Sequence, residues 1–141
     1  MSGISDSFQR PISYLRISVT DRCNLRCMYC MPPEGIPQTA HSDILTYEEI
    51  VKVVRVAADL GINRVRISGG EPLVRIGLVD FVRMLSRIDK IADLSLTTNG
   101  VLLKDQAAGL KNAGLKRINI SLDSLKSERF NKITGRDKLP A

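Results

Sequence analysis

Tryptophan is absent from this sequence of 141 residues, histidine occurs once, and aromatic residues make up only 4%. Nucleic acid bound by stacking needs aromatics interleaved with a basic stripe. Here the 21 Lys and Arg are dispersed among 15 Asp and Glu, so the net charge of +6 is read as a solvated basic surface open to a small anionic ligand, with no nucleic-acid partner. No apolar run approaches the roughly 18 residues of a membrane span, so no membrane partner is expected. Met1 to Arg10 lack the apolar stretch of a signal peptide. The expected compartment is therefore the reducing cytoplasm, where cysteines bind metal more often than they pair. Low-complexity tracts are also missing, and 43% hydrophobic residues suffice for one domain with a core.

Cysteine is scarce too, with three in all, and a disulfide framework would call for an even number. All three lie in one stretch, Arg16 to Pro33, which reads Arg-Ile-Ser-Val-Thr-Asp-Arg-Cys-Asn-Leu-Arg-Cys-Met-Tyr-Cys-Met-Pro-Pro. The spacing C-x3-C-x2-C puts Cys23, Cys27 and Cys30 on one loop, where they can point at a common centre. Thiolates are preferred ligands of iron–sulfur clusters and of zinc. Three cysteines leave one iron of a four-iron cluster free to hold a small molecule. The competing reading is structural zinc with His41 as fourth ligand, although zinc sites more often pair two C-x2-C knuckles.

Apolar residues alternate in four short stretches, as half-buried strands require. They are Tyr14 to Val19, Asn63 to Ser68, Asp93 to Thr97 and Arg117 to Leu122. Helical patterns separate them. The first opens on the capping box Thr46-Tyr-Glu-Glu49, carries Ile50, Val53, Val54, Ala57 and Leu60 on one face, and stops at Gly61. The second carries Leu78, Phe81, Val82, Leu85 and Ile88, the third runs near Lys104 to Ala113, and a short one near Lys126 to Ile133 precedes the stretch Gly135 to Ala141.

The order βαβαβαβα predicts parallel strands with right-handed crossovers. Parallel strands covered on both faces read apolar throughout, whereas these keep one polar face: Arg16, Ser18, Arg66, Ser68, Ser95, Thr97, Asn119 and Ser121. The expected fold is thus α/β, a partial barrel of about four parallel βα units with an open, polar concave face and helices covering the other side. The first and fourth strands are expected at its edges. A closed eight-stranded barrel takes about 250 residues, and this chain supplies about half.

Each unusual segment directly follows a strand: the cysteine loop, Gly69-Gly70-Glu71-Pro72, Thr97-Thr98-Asn99-Gly100 and Ser121-Leu122-Asp123. In parallel α/β folds the carboxyl ends of strands share one edge, where sites collect. Taken singly, the glycine pair and Thr98-Asn99-Gly100 could be simple turns. Met28 and Met31 read as packing residues, and Arg22, Arg26 and Arg64 receive no role.

The cysteine spacing with Tyr29 before the last cysteine, and Gly-Gly-Glu-Pro one strand later, resembles the radical S-adenosylmethionine (SAM) superfamily. Leu15 to Pro32, Arg66 to Leu73, Leu96 to Gly100 and Ile118 to Asp123 together are similar to the GTP 3′,8-cyclase family of molybdenum-cofactor biosynthesis. That resemblance implies a radical SAM partial barrel in which Cys23, Cys27 and Cys30 hold a 4Fe–4S cluster. It implies SAM contacts at Tyr29, Gly70 and Ser121, and GTP contacts at Arg16, Arg66 and Thr97. No residue is assigned as a catalytic acid, base or nucleophile. The implied reaction turns GTP into (8S)-3′,8-cyclo-7,8-dihydroguanosine 5′-triphosphate, with electrons from a donor of unknown identity, and allows a homodimer. The family's second 4Fe–4S cluster uses three further cysteines that this sequence lacks. The chain is accordingly expected to be the N-terminal portion of such an enzyme, with residues 1–13 a lead and 14–141 the N-terminal half of the partial barrel. A peptide-modifying radical SAM enzyme and a non-catalytic metal-binding fragment remain the alternatives.

Overall fold

The computed structural model of the chain describes residues 3–137. The outermost residues of the lead, and of the terminal stretch running to Ala141, lie outside the described residues. Four parallel strands stand side by side in sequence order: β1 (Tyr14–Ser18), β2 (Arg64–Ser68), β3 (Asp93–Thr98) and β4 (Arg117–Ile120). The helices between and after them are α1 (Tyr47–Asp59), α2 (Leu78–Ser86), α3 (Leu103–Asn112) and α4 (Ser127–Thr134). Short 3-10 turns occupy His41–Asp43 and Pro72–Val74. Among the described residues no helix is long and apolar enough to cross a membrane. Ahead of β1, Ser5 bridges Pro11, and the Ile4 N–H donates to the Leu60 carbonyl, so the lead folds back on the end of α1.

Alternation in the strands translates directly into two faces. Val65, Ile67, Leu94 and Leu96 are buried beneath the helices, and they meet Phe81, Val82 and Leu85 of α2 and Leu110 of α3 in one core. Each such side chain contributes roughly 1.5–3 kcal/mol on full burial. The capping box at Thr46 and Glu49 forms as expected, fixing the start of α1.

Two expectations are corrected here. The stripe of α1 that meets the core is Ile50, Val51, Val54 and Ala58, while Val53 and Leu60 stay 55% and 46% exposed. Val53 lies on the helix flank beside β1, the open edge of the sheet, where no further strand receives it, and Leu60 caps the end of the helix. Val53 instead lines a groove of about 490 Å³ with Leu15, Ile17 and Leu45. The helices also fail to cover β4. Ile118 and Ile120 point to the helical side yet remain exposed, because α4 docks on the cysteine loop and leaves the strand before it bare.

Tyr47 at the start of α1 stacks on Phe81 with ring centres 4.5 Å apart and takes the Arg75 guanidinium on its other side at 4.1 Å. Burial pushes its phenol from the ordinary 10.0 up to about 12, against a smaller opposing effect of Arg75. A raised folded-state pKa contributes stability that is complete below pH 10.0 and is lost as pH rises through about 12. Melting temperature is therefore expected to fall across that window, and Tyr47→Phe to flatten that part of the profile. An unchanged slope in the variant would show that other groups set it.

Candidate functional site

The carboxyl ends of all four strands meet at a cavity of about 330 Å³. It is lined by Arg16 and Thr97 from the strands, by Cys23, Cys27, Tyr29 and Cys30 from the loop after β1, and by Gly70 and Ser121 from the turns after β2 and β4. Eight of the nine residues expected from sequence are thus brought together. Arg66 is not in that lining. It pairs in register with Arg16 on β1 and Ser95 on β3, a row that continues to Arg117 on β4. The Arg66 Nε donates to Ser95 Oγ at 3.4 Å, and the Arg16 Nε donates to Ser68 Oγ at 3.1 Å. Arg117 is neutralised by Asp93. Among the described residues neither Arg16 nor Arg66 has a carboxylate within 4.0 Å, so two guanidiniums on adjacent strands stand uncompensated.

The Gly-Gly-Glu turn is pressed against the backbone that leads into the cysteines. The Gly70 and Glu71 N–H groups donate to the carbonyls of Thr20 and Arg22 at 2.7 and 2.8 Å. A Cβ on Gly70 would sit 2.3 Å from the Arg22 carbonyl oxygen, so any side chain there forces the two segments apart. Glu71 is only 1% exposed and its carboxyl accepts from three donors: the Leu73 N–H at 3.1 Å, the Thr98 hydroxyl at 2.6 Å and the Asn99 N–H at 2.7 Å. The Asn99 amide in turn donates to Asn24 Oδ1 at 2.8 Å. The turn after β3 is therefore tied both to the turn after β2 and to the cysteine loop.

Two further ties hold that loop. The Tyr29 hydroxyl donates to the Asp123 carboxylate at 3.0 Å. Backbone N–H groups of Arg26 and Met28 donate to the carbonyls of Thr134 and Ile133 in α4, and Phe130 and Thr134 are buried there. Arg26 is itself a structural brace, donating to the carbonyls of Cys23 and Leu25 at 2.8 Å. Asn24, Glu71, Asn99 and Asp123 had no role assigned from sequence, although all four lie inside the stretches singled out there. Apart from the Leu73 N–H, the partners described above for them are 27 to 94 residues away, which spacing alone does not reveal. Met28, expected to pack, is 69% exposed.

The three thiols share the cavity, with Cys23 and Cys27 half-buried and Cys30 exposed. Cys27 and Cys30 are held by a tight turn in which the Cys30 N–H donates to the Cys27 carbonyl at 2.9 Å. Burial pushes the Cys23 thiol up, opposed by the Leu25 N–H that donates to its sulfur, and burial raises Cys27 likewise. Among the described residues no three His, Cys, Asp or Glu side chains close around a single ion. His41 lines a different cavity, and the oxygens of Glu71 already have donors. A tetrahedral zinc needs four ligands at 2.0–2.3 Å, and this arrangement does not provide them. A four-iron cluster takes one thiolate per iron, so its sulfurs stand apart around a larger body, as three cysteines lining one cavity can.

The family model described as the radical SAM superfamily matches residues 17–140. The chain belongs to that superfamily. Curated relatives named GTP 3′,8-cyclase are similar over most of its length. The one from Alkaliphilus metalliredigens is 57% identical over 131 residues, covering 93% of this chain and 41% of the relative. That from Thermodesulfovibrio yellowstonii is 58% identical over 132 residues, again with 93% and 41% covered. The chain thus spans about two fifths of the length of these relatives. Among solved structures, SuiB of Streptococcus suis bound to S-adenosylmethionine superposes with a TM-score of 0.69 at 22% identity, covering 86% of this chain and 28% of that one. BtrN in complex with AdoMet and 2-DOIA gives 0.64 at 22% identity, covering 92% and 55%. At that identity the likeness establishes the fold, a partial radical SAM (β/α) barrel. Membership brings SAM and a cysteine-held 4Fe–4S cluster as general properties of the superfamily.

Proposed function

We propose that Cys23, Cys27 and Cys30 hold a 4Fe–4S cluster, that Tyr29, Gly70 and Ser121 contact SAM, and that Arg16, Arg66 and Thr97 receive GTP. On this reading the whole protein is a GTP 3′,8-cyclase of molybdenum-cofactor biosynthesis that forms (8S)-3′,8-cyclo-7,8-dihydroguanosine 5′-triphosphate. When bound, cluster and SAM supply a 5′-deoxyadenosyl radical able to remove a hydrogen from the nucleotide. The chain's own residues bind and orient. Gly70 lets its turn close on the Arg22 backbone at the cavity wall, and the Tyr29–Asp123 tie fixes the tyrosine before the last cysteine. Arg16 and Arg66 present two fixed cations to a triphosphate, which guanidinium binds bidentately.

The single observation that carries the reading is that three thiols line one cavity whose wall includes Arg16, one of a pair of uncompensated arginines. Sequence identity favours the nucleotide substrate over a peptide. These two cyclases are 57–58% identical, whereas SuiB, known bound to the precursor peptide SuiA, is 22% identical. The proposal includes residues 1–13 as a lead to a unit formed by 14–141. A second 4Fe–4S cluster belongs to the remaining length of such an enzyme. An electron donor of unassigned identity, a cytoplasmic location, freedom to dimerise and no nucleic-acid or membrane partner complete the reading.

In the enzyme at full length, Arg16→Ala and Arg66→Ala are each expected to weaken GTP binding by roughly 1.5–3 kcal/mol, the scale of a hydrogen bond to a charged group. SAM cleavage without substrate should persist. Calorimetric titration with GTP is the measurement, and unchanged affinity in both variants would remove the nucleotide assignment.

A further inference from the structure

Cys23 stands between two residues that are each tied to the far side of the site. Ahead of it, the Arg22 carbonyl accepts the Glu71 N–H at 2.8 Å. Behind it, the Asn24 side-chain oxygen accepts from the Asn99 amide at 2.8 Å, across 75 residues of sequence. The two ties meet, because the Glu71 carboxyl accepts the Asn99 N–H at 2.7 Å. Arg22, Cys23, Asn24, Asn99 and Glu71 thus form a closed ring of chain and hydrogen bonds. Cys27 and Cys30 are held differently, by the turn between them and by the docking of α4 at Arg26 and Met28.

The way Asn99 faces is set by its own turn. A side-chain amide has one oxygen acceptor and one NH₂ donor. The Asn99 Oδ1 accepts the Val101 N–H at 3.1 Å, which leaves its Nδ2 to serve Asn24. An asparagine needed only to make a turn would stop at the Val101 bond, whereas this one also reaches into the cysteine loop. Asn99 lines the cysteine cavity, and both asparagines are partly buried. Beyond Asn24, Leu25 is 3% exposed and its N–H donates to Cys23 Sγ at 3.5 Å. The first thiol of the loop is therefore fixed from both sides by groups packed into the protein.

We propose that Asn99 is a positioning residue for Cys23: through Asn24 it holds that thiol at the cavity wall in the empty protein, so that the ligand is in place before the cluster arrives. Ordering a side chain in advance removes that cost from the binding step. What Cys23 then binds rests on the iron–sulfur reading above. That the thiol is held does not, and it can be measured in the metal-free chain.

The metal-free 141-residue chain would be treated with iodoacetamide and the rate of modification read by mass spectrometry. Trypsin cuts after Arg22 and Arg26, so Cys23 falls on a peptide of its own. Asn99→Ala and Asn24→Ala are each expected to speed alkylation of Cys23 roughly fivefold, the opening that follows loss of one hydrogen bond. The exposed Cys30 should hardly change. The double variant should be no faster than either single one, because both remove the same bond. Asn24→Asp keeps an acceptor for Asn99 and should restore the slow rate, but not when combined with Asn99→Ala, which separates the bond from the added charge. Should Asn99→Ala misfold through loss of its turn, Asn24→Ala leaves the Val101 bond intact and carries the test. After anaerobic reconstitution with iron and sulfide, both alanine variants should surrender iron to a chelator about fivefold faster than wild type. Unchanged alkylation of Cys23 in the folded variants, or equal acceleration at all three thiols, overturns the positioning role. The expected alkylation pattern in a wild-type chain that takes up no cluster would instead overturn the iron–sulfur reading and leave the hold on Cys23 standing.

Discussion

Loss of any one cysteine is expected to abolish cluster assembly. Reconstituted with iron and sulfide in the absence of oxygen, the chain should take up about four irons and four sulfides. Cys23→Ala, Cys27→Ala and Cys30→Ala should each reduce that to background. The cavity holds no replacement, because His41 lies elsewhere and the Glu71 carboxyl is engaged by three donors. Cys30 makes the cleanest test: it is exposed, so its removal leaves the packing that Cys23 and Cys27 share with their loop. Iron and sulfide analysis with electron paramagnetic resonance of the reduced protein is the measurement. Uptake of one tetrahedral zinc, with refusal of the cluster, would reverse the assignment.

Glu71→Ala is expected to be the most destabilising single change at the site. It removes the acceptor for the buried Leu73 N–H and Thr98 hydroxyl and for the partly buried Asn99 N–H. Each orphaned donor costs roughly 1–3 kcal/mol, and the three are coupled, so their losses do not add. A total of about 3–5 kcal/mol is the range for breaking a buried polar network. Glu71→Gln keeps the shape but turns an amide N–H₂ towards one of those donors, and it should fall between wild type and alanine. Urea unfolding measures both, and a loss below about 1 kcal/mol for the alanine variant would show that Thr98 and Asn99 find other acceptors. The same variant frees Asn99 from its anchor, and with it the tie to Asn24 beside Cys23.

Much of this was legible in the sequence, for reasons that can be named. Residues alternating at Leu15/Ile17, Val65/Ile67, Leu94/Leu96 and Ile118/Ile120 marked four strands because side chains two residues apart in a strand share one face. The meeting of four distant segments followed from strand direction alone. Helix phase was harder. Val53 and Val51 are equally apolar, and only the position of the open β1 edge decides that Val51 is buried and Val53 is not. The docking of α4 was illegible for a related cause: its buried residues, Phe130 and Thr134, face a loop rather than the strand that precedes them. Arg66 was placed on the polar face, but alternation does not show that Arg16, its partner in register, lines the cavity while Arg66 donates to Ser95 outside the lining.

The docking of α4 has a consequence for the order in which the protein matures. The carbonyls that receive Arg26 and Met28 belong to Thr134 and Ile133, and Gly135 passes within contact of the Arg26 backbone. A ribosome adding 5–20 residues per second delivers that clamp roughly 5–20 s after the cysteines, about 100 residues later in the chain. During this interval the loop can have its ties to Glu71 and Asn99 but lacks the clamp at Arg26 and Met28, which leaves the thiols more open to oxidation and to stray metal ions. On the proposed reading of the cysteines, cluster assembly is expected to wait for Ile133 and Thr134, or a helper to shield the nascent thiols until α4 arrives.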